Sequence, residues 1–218
     1  MIAFKFIIIA VISYLLGSLN FGVILSRGMK NEDVRNSGSG NAGTTNMMRT
    51  YGKTLGLLTI AGDILKVVLA IWLAFRIVSV EELKMTLDSA SDYPQVVLKS
   101  FAGLFAVLGH IFPCYFKFKG GKGVATSGGM VIAIDWRIAL ILLAIFALTI
   151  LITKYVSLGS ILMAIFYPVF IGIFYKDIIL VLIALVFTVI VVVAHRENVK
   201  RLINHTENKI GSKKKKKE

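Results

Sequence analysis

The chain has 218 residues, of which 56% are hydrophobic and only 17% are charged, and its net charge is +13. About a quarter of the residues in a soluble domain are usually charged, whereas the apolar residues here come in long blocks without a polar face. The single cysteine, Cys114, excludes an internal disulfide and any multi-cysteine metal site. The composition therefore predicts an all-α integral membrane protein.

Seven apolar segments are candidates for membrane-spanning helices, each of which needs about 20 residues to cross the hydrocarbon core. In chain order they cover residues 2–25, 54–78, 96–113, 122–135, 137–153, 156–175 and 177–195. The first is interpreted as a retained helix, because its apolar stretch is long and no cleavage site of a signal peptide follows it. The fourth is short for a full crossing and is expected to be tilted or broken.

The distribution of charge supports seven crossings. Seven helices place the following segments on one side: 26–53, 114–122, 154–155 and the tail from residue 196. These segments hold 18 basic and 5 acidic residues, whereas the opposite ends hold six of each. The positive-inside rule therefore places the N-terminus outside the cell and the C-terminus in the cytoplasm. We expect one polytopic domain over residues 1–209, and then a polylysine tail, 210–218, which lies on anionic lipid or is solvated.

The first polar stretch on the basic side is GSGNAGTTNMMR, residues 38–49. Its glycines permit positive φ angles and close backbone approach, so that successive N–H groups can converge on an anion. Arg49 adds a planar guanidinium that suits phosphate. A flexible connector explains such a loop equally well.

The second stretch is GHIFPCYFKFKGGKGVATSGG, residues 109–129. Backbone N–H groups at the start of a new helix, with Lys122 beside them, are typical of an anion site. The stretch is not a Walker A loop, because Phe116 stands where glycine is required and Gly123 replaces Ser or Thr. His110 is expected to make an interhelical hydrogen bond.

The third stretch, HRENVKRLINHTENK at residues 195–209, is expected to continue the last span as an amphipathic helix. His195 and Asn198 would then share one face. A basic helix end that reaches toward lipid head groups is an equally good interpretation. Within the membrane, Asp63 and Lys66 lie one helical turn apart, where they mark a proton path or neutralise each other.

Three polar stretches on one face of a membrane protein indicate a shared site. An arginine, a lysine, a histidine and several amide donors suit a small phosphorylated substrate that enters from water, with a product that leaves into lipid. The sequence shows no metal-ligand cluster, and we expect no metal, no cofactor and no nucleic-acid partner. A membrane carrier for an organic phosphate is the alternative, although no internal repeat supports it.

Together, the three stretches resemble the three motifs of the bacterial membrane acyl-phosphate:glycerol-3-phosphate acyltransferases, the PlsY family, in the family's order. The resemblance implies a seven-helix enzyme of the bacterial inner membrane with its active site on the cytoplasmic face. It implies transfer of an acyl group from a long-chain acyl phosphate to the 1-hydroxyl of glycerol 3-phosphate, giving lysophosphatidic acid and phosphate. This is the first acylation of phospholipid synthesis, downstream of an enzyme that forms acyl phosphate.

The resemblance also implies roles by motif position. The substrate phosphates would be contacted by the catalytic residues Ser39, Arg49, Lys122 and His195. Substrate binding would involve Gly40, Asn41, Thr45, Asn46, Gly120, Gly121, Gly123, Asn198 and Glu207. Acyl phosphate is already activated, so we expect no covalent intermediate on Ser39. In the family the phosphate of the acyl donor can take up the hydroxyl proton, and we favour it over His195 as the base. One position departs from the family: His205 stands where glycine is usual, in the turn before Glu207.

Overall fold

The computed structural model describes residues 2–87 and 90–210. Within these ranges the chain forms eleven α-helices and no strand. They are α1 (Ile2–Gly17), α2 (Phe21–Lys30), α3 (Thr44–Tyr51), α4 (Lys53–Ile77), α5 (Val80–Leu87), α6 (Pro94–Ile111), α7 (Val124–Ile134), α8 (Trp136–Thr153), α9 (Val156–Tyr175), α10 (Ile178–Ala194) and α11 (Arg196–Ile203). The all-α fold expected from the sequence is confirmed. Residues 211–218, most of the predicted polylysine tail, lie outside the described residues.

The later six predicted spans match α4, α6, α7, α8, α9 and α10 to within two residues at each end. Among the described residues, five helical segments are long and apolar enough to cross a membrane, with α1 and α2 counted as one segment. α10 is a sixth such segment only if it is counted together with α11. α7 is apolar but has only 11 residues, fewer than a full crossing needs. The number of seven crossings therefore stays a prediction.

Two of the predicted spans are not followed or filled by one straight helix. The first, 2–25, lies within one candidate span but is divided between α1 and α2, and the Asn20 side chain caps α2 by accepting a hydrogen bond from the Val23 N–H. After the last span the chain bends by 61° at His195, between α10 and α11. The Asn20 side chain thus begins a helix, and the His195 ring bonds to the Val191 carbonyl one turn earlier.

α6 is the central helix and packs against α1, α4, α7 and α10. Two glycines bring the backbones of α1 and α6 into direct contact. A Cβ atom on Gly17 would lie 2.0 Å from the Ala106 carbonyl oxygen, and one on Gly109 would lie 2.1 Å from the Tyr14 carbonyl oxygen. Such close approach of small residues stabilises helix pairs in membranes through van der Waals contact.

A proline inside α9 also has an interhelical consequence. Pro168 has no N–H group, so the carbonyl of Ala164 one turn earlier lacks its helical donor. The Thr188 hydroxyl on α10 lies 2.7 Å from that carbonyl and 2.9 Å from the Ala184 carbonyl of its own helix, and we assign its one proton to the shorter contact. The bond satisfies a buried acceptor and joins α9 to α10.

Polar contacts divide the loops between two ends of the bundle. At one end, Lys5 pairs with Glu82 at 2.6 Å, the Ser91 hydroxyl donates to Asp177, and the Tyr175 hydroxyl donates to Asp135 at 3.1 Å. At the other end, the segments rich in Lys and Arg contact one another. For example, the Ile210 N–H donates to the Lys154 carbonyl at 2.9 Å. These are the two groups of loops that the charge pattern separates, with the first and last described residues at opposite ends.

Candidate active site

The opening loop, residues 31–49, contains the first polar stretch and is built around the side chain of Asn46, which is 1% exposed. Its amide nitrogen lies 2.9–3.1 Å from the carbonyl oxygens of Val34, Ser37 and Asn41. Its oxygen accepts a hydrogen bond from the Ser39 N–H at 2.8 Å. Asn46 therefore fixes the conformation of the loop with both ends of its amide.

The residues of the first polar stretch that are exposed to solvent include Ser39, Gly40, Thr45 and Arg49. Gly40 has a φ of 72°, in the region that favours glycine, and lets the chain turn toward α3. Arg49 forms no hydrogen bond or ion pair with any residue in the described ranges. Its guanidinium is thus available to an anion from outside the protein.

Arg35, which the sequence analysis did not single out, joins the opening loop to the second polar stretch. One of its terminal nitrogens donates to the carbonyls of Phe116 at 3.1 Å and Lys119 at 2.7 Å. Asp33 holds the guanidinium from the other side, at 2.7 Å. The Phe116 ring also packs against the small core under the opening loop, which includes Val34. Two segments about 80 residues apart are therefore fixed to each other.

In the second stretch, Gly120 and Gly121 do not offer their N–H groups to a ligand. The Gly120 N–H donates to the Ile111 carbonyl and the Gly121 N–H to the His110 carbonyl, both at 3.2 Å. Both positions also lack room for a side chain, since a Cβ on Gly120 would lie 2.0 Å from the His110 oxygen. Glycine is required at both positions because the loop packs onto the end of α6, and the expected role of Gly120 and Gly121 in substrate binding stays a prediction that does not involve their N–H groups.

The free amides lie one position further along. In the described part of the chain, the N–H groups of residues 122–126 have no hydrogen-bond acceptor. Gly123 caps α7 with a φ of 79° and provides no side-chain cap. The Thr126 hydroxyl in the first helical turn is also buried without a partner. Converging N–H groups at the positive end of a helix form an anion site, and they directly follow Lys122.

Lys122 connects the second and third stretches. Its ammonium donates to the side-chain oxygen of Asn198, whose amide nitrogen donates to Glu207 at 3.1 Å. The other carboxylate oxygen of Glu207 accepts from Arg201 at 2.8 Å. Burial lowers the pKa of Lys122 to about 8, and the positive charge of Arg201 acts in the same direction while Glu207 opposes it. Lys122 is therefore charged at neutral pH but close to its titration range.

His195, directly after α10, is 2% exposed. Its Nδ1 lies 2.8 Å from the Val191 carbonyl oxygen, which can only accept, so Nδ1 carries a proton. Burial lowers the pKa of His195 to about 4, the Val191 carbonyl opposes this, and the charge of Lys122 adds to it. The ring is thus neutral at neutral pH, and Nε2 is a hydrogen-bond acceptor.

His205 adopts the conformation for which glycine is usual. Its φ is 53°, and the N–H groups of His205 and Thr206 donate to Leu202 and Arg201 at 3.2 and 2.8 Å. This is a Schellman turn with a non-glycine residue at its left-handed position. The turn closes α11 and directs Glu207 back to Asn198 despite the substitution.

The structure thus brings together Lys122, Asn198 and Glu207 by direct contacts, with His195 one turn before Asn198. Ser39 and Arg49 are on the same end of the bundle but make no direct contact with that group in the described residues. Sequence reasoning missed Arg35 and Arg201, whereas it did predict free amides at the start of α7. The basic type of the two arginines was the only signal, because their acceptors lie elsewhere in the chain.

Comparisons with known proteins identify relatives that match most of the chain. A family model for glycerol-3-phosphate acyltransferase matches residues 7–205. The chain is 42% identical to the glycerol-3-phosphate acyltransferase of Clostridioides difficile (strain 630), over 97% of this chain and 98% of that protein. It is 40% identical to the enzyme of Bacillus subtilis (strain 168), over 93% of this chain and 96% of that one.

Two crystal structures of PlsY, an integral membrane glycerol 3-phosphate acyltransferase, have the same fold. The glycerol 3-phosphate form superposes with a TM-score of 0.81 at 34% identity, covering 94% of this chain and 96% of that chain. The lysophosphatidic acid form gives a TM-score of 0.78 at 32% identity, covering 94% and 95%. The protein is therefore a multi-pass integral membrane protein, and the chain belongs to the glycerol-3-phosphate acyltransferase family.

Proposed function

We propose that this protein transfers an acyl group from a long-chain acyl phosphate to the 1-hydroxyl of glycerol 3-phosphate, releasing lysophosphatidic acid and inorganic phosphate. The observation that carries the proposal is the contact of Lys122 with Asn198. It joins the glycine loop, residues 120–123, to the third stretch, next to the N–H groups at the start of α7 that have no acceptor in the described residues. The relatives with this fold were crystallised in glycerol 3-phosphate and lysophosphatidic acid forms, the proposed acceptor and product.

Phosphate binding is assigned to three groups of donors. Lys122 and the N–H groups at the start of α7 face one phosphate, where charge and helix dipole act together. Arg49 and the Ser39 hydroxyl, exposed on the opening loop, bind phosphate from the other side. Thr45 contributes its hydroxyl from the same exposed surface. Asn41, Asn46 and Glu207 position these donors through the hydrogen bonds described above.

The reaction is a direct acyl transfer. The C1 hydroxyl oxygen forms a bond to the acyl carbonyl carbon, the bond from that carbon to the phosphate oxygen breaks, and phosphate leaves. The hydroxyl proton goes to the departing phosphate. A neutral His195 cannot donate to a phosphate through Nε2, so we assign it to accept a hydrogen bond from the C2 hydroxyl of glycerol 3-phosphate and thereby to orient the attacking C1 hydroxyl.

The orientation in the membrane follows from charge. We propose seven crossings in the bacterial inner membrane, with the basic end of the bundle in the cytoplasm. The net charge of +13 lies at that end, where the positive-inside rule requires it. Glycerol 3-phosphate then enters from the cytoplasm, and the acyl phosphate comes from an enzyme that forms it upstream.

The test is release of phosphate from palmitoyl phosphate by the purified protein, with and without glycerol 3-phosphate and with no CoA present. We expect release that depends on glycerol 3-phosphate and equals lysophosphatidic acid formation. Ser39→Ala and Lys122→Ala should both cut turnover strongly, and Lys122→Ala should also raise KM for glycerol 3-phosphate. Activity only with acyl-CoA, or uptake of glycerol 3-phosphate into proteoliposomes without acyl transfer, would overturn the proposal.

A further inference from the structure

A cluster of three charged or titratable side chains lies beneath the glycine loop, away from the proposed phosphate donors. Asp63 and Lys66 on α4 and His110 on α6 are 1%, 3% and 2% exposed. The Lys66 ammonium has three N–H bonds and three acceptors. They are Asp63 Oδ1 at 2.8 Å, His110 Nδ1 at 2.8 Å and the Leu19 carbonyl, in the break between α1 and α2, at 3.0 Å.

Nδ1 of His110 faces both members of the ion pair, because it lies 2.8 Å from the Lys66 ammonium and 3.4 Å from Asp63 Oδ1. The shorter contact is with the ammonium, which can only donate, so we assign Nδ1 as the acceptor and place the ring proton on Nε2. The cluster then contains one negative and one positive charge, and neutralises itself. The expectations that Asp63 and Lys66 pair, and that His110 bonds between helices, are confirmed.

The other edge of the His110 ring lies against the glycine loop. A Cβ atom on Gly121 would be 2.2 Å from His110 Nε2, so the ring touches the backbone at this residue. The His110 carbonyl also accepts the Gly121 N–H. His110 therefore holds Gly121 from two directions, and the next residue is Lys122.

We propose that His110, held by Lys66 and Asp63, is a positioning residue that sets the place of Lys122 through Gly121. The inference rests on the proposed phosphate-binding function of Lys122. A buried ion pair of this kind is weak evidence for stability, because apolar residues of similar volume often stabilise a core equally well or better. What it adds is a single geometry: Lys66 bonds to α4, to α6 and to the α1–α2 break at once, so the ring has one orientation.

The experiment is a double-mutant cycle between His110 and Gly121. In His110→Asn the side-chain oxygen takes the place of Nδ1, so Lys66 keeps its acceptor, while the ring edge against Gly121 is lost. In Gly121→Ala the new methyl group meets that ring edge. In the double variant the nearest remaining position, that of Cδ2, is 3.2 Å from the methyl, so a shift of a few tenths of an ångström accommodates it, whereas Nε2 at 2.2 Å cannot be accommodated in the same way.

Each single variant should raise KM for glycerol 3-phosphate about tenfold with a much smaller change in kcat. The double variant should be within about threefold of the better single variant, whereas independent effects would multiply to about a hundredfold. Additive effects on log KM, or equal losses of kcat and no change in KM, would overturn the inference. Thermal unfolding in detergent, compared with wild type, shows that each variant is folded.

Two further variants separate this inference from the proposed function. Gly128→Ala on α7 is the matched control, because a Cβ there meets nothing within 4 Å, and it should leave KM unchanged. Lys122→Met in the same assay tests the site itself. If Lys122→Met does not raise KM, the proposed function of Lys122 fails. If it does but the cycle is additive, only the positioning role of His110 fails.

Discussion

The guanidinium of Arg35 lies 2.7 Å from the carbonyl oxygen of Lys119, and this bond links two loops that are 84 residues apart in sequence. Because the same nitrogen also donates to Phe116, Arg35 orders the chain that leads into the glycine loop. Asp33 fixes the planar guanidinium so that it points there. Arg35 thereby connects the loop that carries Ser39 to the one that carries Lys122.

Arg35→Lys should therefore lower kcat/KM about tenfold, the order expected when a charge-assisted hydrogen bond is lost. A lysine keeps the charge but not the planar geometry that serves Asp33 and the two carbonyls together. The measurement is steady-state acyl transfer. Arg27→Lys is the control, since Arg27 also pairs with Asp33 and also lies over the Phe116 ring, but it does not hydrogen-bond to the carbonyls of the second loop. Equal effects of the two substitutions would contradict the bridging role.

The pH dependence of activity should report Lys122. Its pKa is lowered to about 8, so its charge is fully present at lower pH and is lost as the pH rises through 8. Affinity for a phosphate dianion should fall with that charge, and kcat/KM for glycerol 3-phosphate should decline above about pH 8. Lys122→Arg should abolish this decline even if its activity is lower, because arginine stays charged. A wild-type profile that is flat to pH 10, after subtraction of spontaneous acyl phosphate hydrolysis, would contradict the assignment.

His205→Gly should stabilise the protein by about 1 kcal/mol, because the left-handed conformation is unfavourable for residues with a Cβ. The turn and the contact of Glu207 with Asn198 should be kept, so activity should not fall. The measurement is the midpoint of thermal unfolding in detergent. His205→Ala removes the imidazole but keeps the Cβ, and should give no such gain. Equal midpoints for the glycine and alanine variants would show that the backbone conformation is not the cause.

Thr188→Val should destabilise the protein by about 1 kcal/mol, since it removes the donor to the Ala164 carbonyl. In a Pro168→Ala background the helix supplies its own N–H to that carbonyl, and the cost of Thr188→Val should shrink. Thr149→Val is a matched control, because its hydroxyl bonds within one helix. A Thr188→Val cost that is the same with and without Pro168 would contradict the compensating role of the hydroxyl.

The positions of the later helices could be predicted because a membrane helix needs a long apolar run, which sequence shows directly. The break between α1 and α2 could not be predicted in this way, since Leu19 extends the apolar run across it. Asn20, the cap at which α2 begins, was the only signal in the sequence. The bend at His195 was missed for a similar reason. There the side chain bonds to the backbone carbonyl of Val191, and its burial depends on neighbouring segments.

The residue types of the site could be predicted, but the contacts that each of them makes could not. Lys122 and Asn198 were identified by motif, and they do meet. Glycines at 120 and 121 indicated backbone contact with a ligand, yet that contact is with the end of α6, and no local pattern distinguishes the two cases. Arg35 and Arg201 have acceptors whose approach depends on the tertiary fold.

The N–H groups of residues 122–126, which have no acceptor among residues 2–87 and 90–210, have a practical consequence. Such amides bond to groups from the surroundings, and an anion that binds only the folded form raises its stability by mass action. The midpoint of thermal unfolding should thus be higher in a purification buffer with inorganic phosphate than in a chloride buffer of equal ionic strength that contains no sulfate. Choice of buffer would then decide the shelf life of the detergent-solubilised sample, and phosphate-containing buffers would mask weak competitors in inhibitor screens.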